Sequence, residues 1–179
     1  MTIFETERLL VREWTESPAD LERVFDIYSR WEVARWLGAE PRVLEAPSDA
    51  AEMVRRWHAR YAPDAGRYGV WAIEVRGTGL VAGTVLLKAL PGADNEPTSE
   101  IEVGWHLHPD SWGHGYATEA ARGAVDRAFA DGLAEIYAVV KPGNEASIAV
   151  TGRLGMTPLG RTNRWYGGVE LESFVLPRP

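Results

Sequence analysis

Two hydrophobic periods alternate along the chain, and their order predicts its elements. From Glu7 to Trp14 the run Arg8-Leu9-Leu10-Val11-Arg12-Glu13 is strand-like, and Glu16-Ser17-Pro18-Ala19-Asp20 supplies a turn and a helix start. Leu21, Val24, Phe25 and Tyr28 recur at i, i+3, i+4 and i+7, one face of a helix that should stop near Gly38-Ala39-Glu40-Pro41. A second helix is predicted from Ser48 or Asp49, with Ala50, Met53, Val54, Trp57 and Tyr61 on one stripe and Pro63 closing it. Beyond Ala65-Gly66 the period becomes that of a strand. Tyr68 to Val75 and Leu80 to Leu87 are rich in β-branched and aromatic residues, and Arg76-Gly77-Thr78-Gly79 joins them as a hairpin. The polar segment Pro91 to Pro97 reads as a loop, and Ser99 to His108 then alternates: Ile101, Val103, Trp105 and Leu107 on one face, Glu100, Glu102, Gly104, His106 and His108 on the other.

From Ala117 the helical period returns through Ala120, Ala121, Ala124, Val125, Ala128 and Phe129, and Asp131-Gly132 ends it. Glu135 to Val140 reads as a buried strand, Asn144 as the cap of a short helix to Leu154, and Gly155 as its stop. Met156 to Trp165 and Val169 to Leu176 form a closing hairpin. The order β-α-α-β-β-β-α-β-α-β-β, without repeat or low-complexity linker, predicts an α/β fold: a mixed, mostly antiparallel central sheet in one layer with helices on both faces.

Composition narrows the function. The 179 residues suit a single domain over 1–179, and 45% hydrophobic with 25% charged residues is the balance of a chain that folds alone. Nineteen Lys+Arg against 26 Asp+Glu leave a net charge of −7, which argues against nucleic-acid binding and suits a cationic partner. The chain holds no long apolar run and no secretory-type start, so neither a membrane span nor export is expected. The absence of cysteine excludes disulfides, thiolate metal sites and a cysteine nucleophile, and points to the cytoplasm.

The stretch richest in chemistry is His106-Leu107-His108-Pro109-Asp110-Ser111-Trp112-Gly113-His114-Gly115-Tyr116-Ala117-Thr118-Glu119. A strand end, two closely spaced glycines and an immediate helix start make an anion cradle, because successive backbone N–H groups and the helix N-terminus converge on one spot. The same glycines could serve only to make a tight strand-to-helix turn. The loop is not a P-loop, since no Lys-Ser/Thr follows, and it lacks the third glycine of the dinucleotide fingerprint.

On these residues the chain resembles the GNAT superfamily of acetyl-CoA-dependent N-acetyltransferases, in particular the branch of the ribosomal-protein alanine acetyltransferases. The family motif Gln/Arg-x-x-Gly-x-Gly/Ala is matched by Trp112-Gly113-His114-Gly115-Tyr116-Ala117, with tryptophan in the first position as in the branch variant Pro-x-x-Trp-Gly-x-Gly-Tyr-Ala-Thr-Glu-Ala. Thr6-Glu7-Arg8-Leu9-Leu10-Val11-Arg12 is similar to the branch's first strand, and Asn144-Glu145-Ala146-Ser147 with Leu154-Gly155-Met156 to its Asn-x-x-Ser…Leu-Gly-Phe segment. The resemblance covers nearly the whole chain and implies the acyl-CoA N-acyltransferase fold. It further implies that backbone near Trp105, His106 and Leu107 pairs with the pantetheine arm of acetyl-CoA. The amides of Gly113, His114, Gly115, Tyr116, Ala117 and Thr118, beside Trp112, would hold the pyrophosphate; Asn144 would bond the arm and Ser147 lie near its sulfur. Backbone dipoles would then let an acidic chain bind a polyanion.

Acetyl transfer requires a neutral amine, donors for the oxyanion and an exit for the thiolate. Glu102 is the first base candidate, acting through water as the family's glutamate on this strand does; Glu100 is the alternate. Both could equally be solvent-facing carboxylates or ion-pair partners, and a bulge near Gly104 would shift the face assignment beyond it. Ser147 is the candidate donor to the thiolate, or else a first-turn serine that helps Asn144 cap its helix. Many family members use a tyrosine there, but nothing assigns Tyr137 to that task. Trp31 and Trp36 between the first two helices, and Tyr166 in Arg164-Trp165-Tyr166-Gly167-Gly168, would border the acceptor pocket. The acceptor is expected to be a protein N-terminus or a small cationic amine, with a homodimer possible. An α-amine titrates at about 7.7–8.0 and a lysine-type amine near 10.4, which favours the α-amine if little base assistance is available. Two competing classes are a non-catalytic acyl-CoA sensor and a metallohydrolase built on His106, His108, His114 and Asp110. No metal is expected in the acetyltransferase reading, and His58 reads as a surface or packing residue.

Overall fold

A computed structural model describes residues 1–179. Its centre is an eight-stranded sheet in the order β1-β2-β3-β4-β5-β6-β8-β7, antiparallel throughout except for the parallel β5–β6 junction. The strands are β1 (Thr2–Glu5), β2 (Leu9–Glu13), β3 (Gly69–Val75), β4 (Val81–Pro91), β5 (Pro97–Leu107), β6 (Glu135–Val140), β7 (Thr157–Thr162) and β8 (Leu171–Pro177). Helices α1 (Pro18–Tyr28), α2 (Trp31–Ala34) and α3 (Pro47–Tyr61) precede β3; α4 (Tyr116–Ala130) links β5 to β6 and α5 (Glu145–Leu154) links β6 to β7.

Period-2 alternation sorts the strand residues onto two cores. Leu9, Val11, Ile73, Val103 and Leu107 pack against the alanine face of α4, Ala120, Ala121 and Ala124, and against Val150 and Leu154 of α5. Ala72 and Val81 turn to the other face and meet Trp14, Val24, Ile27, Ala50 and Val54, mostly from α1 and α3. Burial of these side chains, at roughly 25 cal/mol per Å² of apolar surface, holds the helices to the sheet.

Two expected elements differ. Thr2–Glu5 forms an additional first strand on the sheet edge, too short to show a period of its own. The first helix stops at Tyr28 rather than near Gly38, because Arg30 is extended (φ −87°, ψ 123°) and swings the chain so that Val33 and Ala34 enter the second core. No bulge falls at Gly104 on the β4 side: β4 and β5 pair without a break from Gly83↔Leu107 to Ala89↔Ile101, and their register shifts between Ala89 and Pro91, whereas on the β6 side the last pair is Glu102↔Tyr137.

Candidate active site

The site begins where two parallel strands part. Only Glu102↔Tyr137 joins β5 to β6, and beyond it the strands splay. The His108 N–H donates to the Ala82 carbonyl on the β4 side (3.0 Å). Since alternate residues of a strand turn their peptide groups to opposite edges, Trp105 and Leu107 present theirs to the gap. Of these, the Leu107 carbonyl accepts the indole N–H of Trp112 (2.9 Å).

At the mouth of the gap Gly113 and Gly115 adopt φ of +78° and +80°, which their lack of a Cβ permits, and α4 begins. The first backbone bond of the helix is Glu119 N–H to the Gly115 carbonyl, so the N–H groups of 113–118 have no protein acceptor. A Cβ on Gly113 would meet open space, and one on Gly115 only a guanidinium nitrogen of Arg8 at 3.4 Å. Six free donors at the positive end of a fifteen-residue helix fit a pyrophosphate. Arg8, which sequence reasoning placed only on a strand, anchors this loop. Its guanidinium donates to the His114 carbonyl (2.9 Å) and to Glu119 (2.6 Å), and Glu119 also accepts the Thr6 hydroxyl (2.6 Å). The His114 ring stacks on Tyr116 with centroids 5.3 Å apart.

Two clefts flank the gap. The first runs along the N-terminus of α4, past Trp105–Leu107 and 112–119, to the start of α5 at Asn144 and Ser147. The second lies between the sheet and α3 and contains Tyr28, Trp57, Tyr61, Lys88, Glu102 and Tyr166. They share Trp36, Leu37, Trp105, His106, Asn144 and Ser147. The Asn144 side chain accepts the Ser147 N–H (3.3 Å) and caps α5, leaving the Ser147 hydroxyl without a protein partner at the junction.

Glu102, in the second cleft, is 4% exposed rather than solvent-facing. Lys88 lies directly opposite it across the hairpin and pairs with Oε1 (2.8 Å), and the Tyr166 hydroxyl donates to the same oxygen. The Lys88 ammonium also donates to Tyr166 Oη (2.8 Å). Burial and the Glu102 carboxylate hold the Tyr166 phenol well above the usual range, so it keeps its proton as a donor. Glu102 Oε2 remains without a protein donor. The His106 ring contacts Tyr28 Oη through Nδ1 (3.1 Å), and that hydroxyl is in turn hydrogen-bonded to the Thr84 hydroxyl (2.9 Å). Burial, reinforced by the Lys88 charge, lowers the imidazole to about 4.

Other expected residues fall outside. Trp31 is 56% exposed and borders neither cleft, because the Arg30 bend points it to solvent. Glu100 is held by Arg164 (2.6 Å) and the Trp165 indole (2.7 Å), also outside both clefts. Tyr137 donates to Glu135, whose carboxylate pushes that phenol up to about 12. The four residues of the metallohydrolase reading do not converge: His106 turns to Tyr28, His108 lies 3.0 Å from Asp26 and 2.9 Å from Asp110, and His114 stacks in the cradle loop. His58 contacts the Trp14 carbonyl at 2.8 Å, a packing role.

The family model for the acetyltransferase (GNAT) domain matches residues 8–157. The chain belongs to the GNAT acetyltransferase family. It is an acetyl-CoA-dependent N-acetyltransferase. It is 33% identical over 159 residues to the uncharacterized N-acetyltransferase YoaA of Bacillus subtilis, covering 88% of this chain and 84% of that one. It is 34% identical over 113 residues to the FsC-acetyl coenzyme A-N(2)-transacetylase of Aspergillus fumigatus, covering 61% and 47%. Its fold matches that of RimL, a ribosomal L7/L12 alpha-N-protein acetyltransferase solved in complex with coenzyme A, with a TM-score of 0.76 at 17% identity, over 99% and 98% of the chains.

Proposed function

We propose that this acetyltransferase moves an acetyl group directly onto an α-amine, of a peptide or an amino acid, held in the second cleft. One observation carries the reading: the cradle cleft and the Glu102 cleft meet at Trp105, His106, Asn144 and Ser147, so a thioester and an amine entering from opposite sides would touch there. When bound, acetyl-CoA supplies the activated acyl group. The free amides of 113–118 hold its pyrophosphate and the Trp105 peptide group, on the splayed edge, orients the arm and polarises the acyl carbonyl. Glu102 Oε2 takes the amine proton through a water, with Lys88 and Tyr166 fixing the other oxygen. The Ser147 hydroxyl donates a hydrogen bond to the departing thiolate, which takes up the proton that the amine gave to Glu102 and the water, so that the site ends as it began.

An α-amine acceptor agrees with one relative at the level of its name, RimL being a ribosomal L7/L12 alpha-N-protein acetyltransferase, and the Aspergillus enzyme is likewise named for transfer to a nitrogen, N(2). The test is a mass-detected acetylation screen with peptides bearing free N-termini, N-blocked lysine peptides, amino acids and spermidine. Acetylation of α-amines that Glu102→Gln slows supports the assignment; acetylation confined to lysine side chains or polyamines contradicts it.

A further inference from the structure

The charge around the second cleft runs against that of the chain as a whole. The protein carries −7, yet five of the seven charged side chains lining this cleft are cations. Both carboxylates are consumed locally: Glu40 pairs with Arg42 (3.0 Å) and Glu102 with Lys88 (2.8 Å). Lys141 is directed at the Arg35 carbonyl, and burial lowers its ammonium. That leaves Arg56 and Arg60. They stand four residues apart on α3, in the same stripe as Met53 and Trp57, which also line the cleft. Their neighbour Arg55, one step around the helix, finds a carboxylate in Glu16 (2.8 Å), whereas Arg56 and Arg60 have none. The Arg60 guanidinium lies against the Tyr61 ring (5.9 Å to its centroid), an uncharged partner, so two like charges at this spacing still repel one another, a cost that an anion between them would remove. The Arg60 charge also acts on Tyr61 and Tyr166, the second of which holds Glu102, so an anion at Arg60 sits close to the proposed base.

We propose that Arg56 and Arg60 bind a carboxylate of the acceptor, so that the substrate is an amine that carries an acid group. This rests on the reading that the second cleft holds the acceptor. Two sources share the chemistry, a free amino acid and a peptide N-terminus followed by acidic residues. A polyamine or aminoglycoside would bring further positive charge into a cleft that already has an excess, which reverses the expectation of a cationic acceptor drawn from net charge. Guanidinium forks suit the task because they hold a carboxylate through two parallel bonds.

The test compares acceptors that differ in one respect, with the full chain and acetyl-CoA, by following CoA thiol release. One arm sets L-amino acids against their decarboxylated amines; the other sets Ala-Asp-Glu-Phe amide against Ala-Lys-Lys-Phe amide. We expect the acidic member of at least one pair to be used about 10-fold or more better, and the responding arm identifies the source. Arg56→Ala and Arg60→Ala should each raise the KM for that acceptor by about 10-fold without changing the KM for acetyl-CoA, and Arg60→Lys should recover part of the loss. Equal or better use of the cationic or decarboxylated member in both arms, or variants with unchanged acceptor KM, would overturn the proposal. The same compounds are also titrated calorimetrically into protein saturated with CoA. Arginine-dependent binding of the acidic member without turnover would uphold the carboxylate site and remove the transfer reading; no binding of any acidic member would remove the carboxylate site itself.

Discussion

The Lys88 ammonium and the Glu102 carboxylate lie 2.8 Å apart in the second cleft, set opposite one another by the β4–β5 register. Glu102 is the proposed base, so Glu102→Gln should lower kcat by about 100-fold or more while leaving acetyl-CoA binding intact, because a general base contributes roughly 10²–10⁴ to the chemical step. Lys88→Met should do something different. It leaves a buried carboxylate with only the Tyr166 hydroxyl, and removal of one partner of such a pair costs about 3 kcal/mol. Urea unfolding should detect that loss, and Lys88→Met combined with Glu102→Gln should recover most of it.

His106 provides a pH signature. Its imidazole sits at about 4 in the folded protein against an ordinary 6.5, chiefly through burial, so the unfolded chain binds a proton across that interval and the folded one does not. The associated stability is present above pH 6.5 and is lost as pH falls toward 4. We expect His106→Gln to flatten the stability profile between pH 6.5 and 4 by about 2 kcal/mol, allowing for partial solvent access of the ring. A wild-type profile no steeper than the variant's would show that the ring titrates normally.

Asp20 should govern a second acid transition. It is 4% exposed, and burial alone would raise its carboxyl. The Arg12 guanidinium (2.8 and 2.9 Å) and the Thr15 hydroxyl and N–H (2.7 and 2.8 Å) outweigh that and hold it below the ordinary 3.8. A depressed carboxyl stabilises the fold fully above its ordinary value, and the contribution disappears as pH drops through the folded value. Asp20→Asn should cost about 3 kcal/mol at pH 7, and the difference from the wild type should shrink as pH falls through the folded value. Thermal unfolding of both chains from pH 7 downward measures it.

How much of this was legible in the chain varies with the range of the interaction involved. Local signals carried far: the alanine stripe of α4, the Asn144 cap and the Gly155 stop are properties of a few adjacent residues, and the helices follow them closely. The cradle was visible as strand, two glycines and helix. Long-range pairings were not. Counting outward from Pro91↔Pro97 in strict register would set Lys88 opposite Glu100; the bulge between Ala89 and Pro91 sets it opposite Glu102 instead. Likewise Arg8 reads as a strand arginine, and its contacts with His114 and Glu119 span more than a hundred residues. Trp31 misled because helical spacing through Tyr28 concealed the bend at Arg30, which depends on where Val33 and Ala34 find a core.

The central claim is that the free amides at the start of α4 bind the cofactor, and calorimetric titration with acetyl-CoA, CoA and ATP tests it most directly. The protein should bind acetyl-CoA and CoA saturably, with no comparable binding of ATP. Gly115→Glu, which adds a strained backbone and a negative charge at φ +80°, should weaken acetyl-CoA by about 100-fold or more. Acetyl-CoA binding that the substitution leaves unchanged, or no binding by the unaltered chain, would contradict the account.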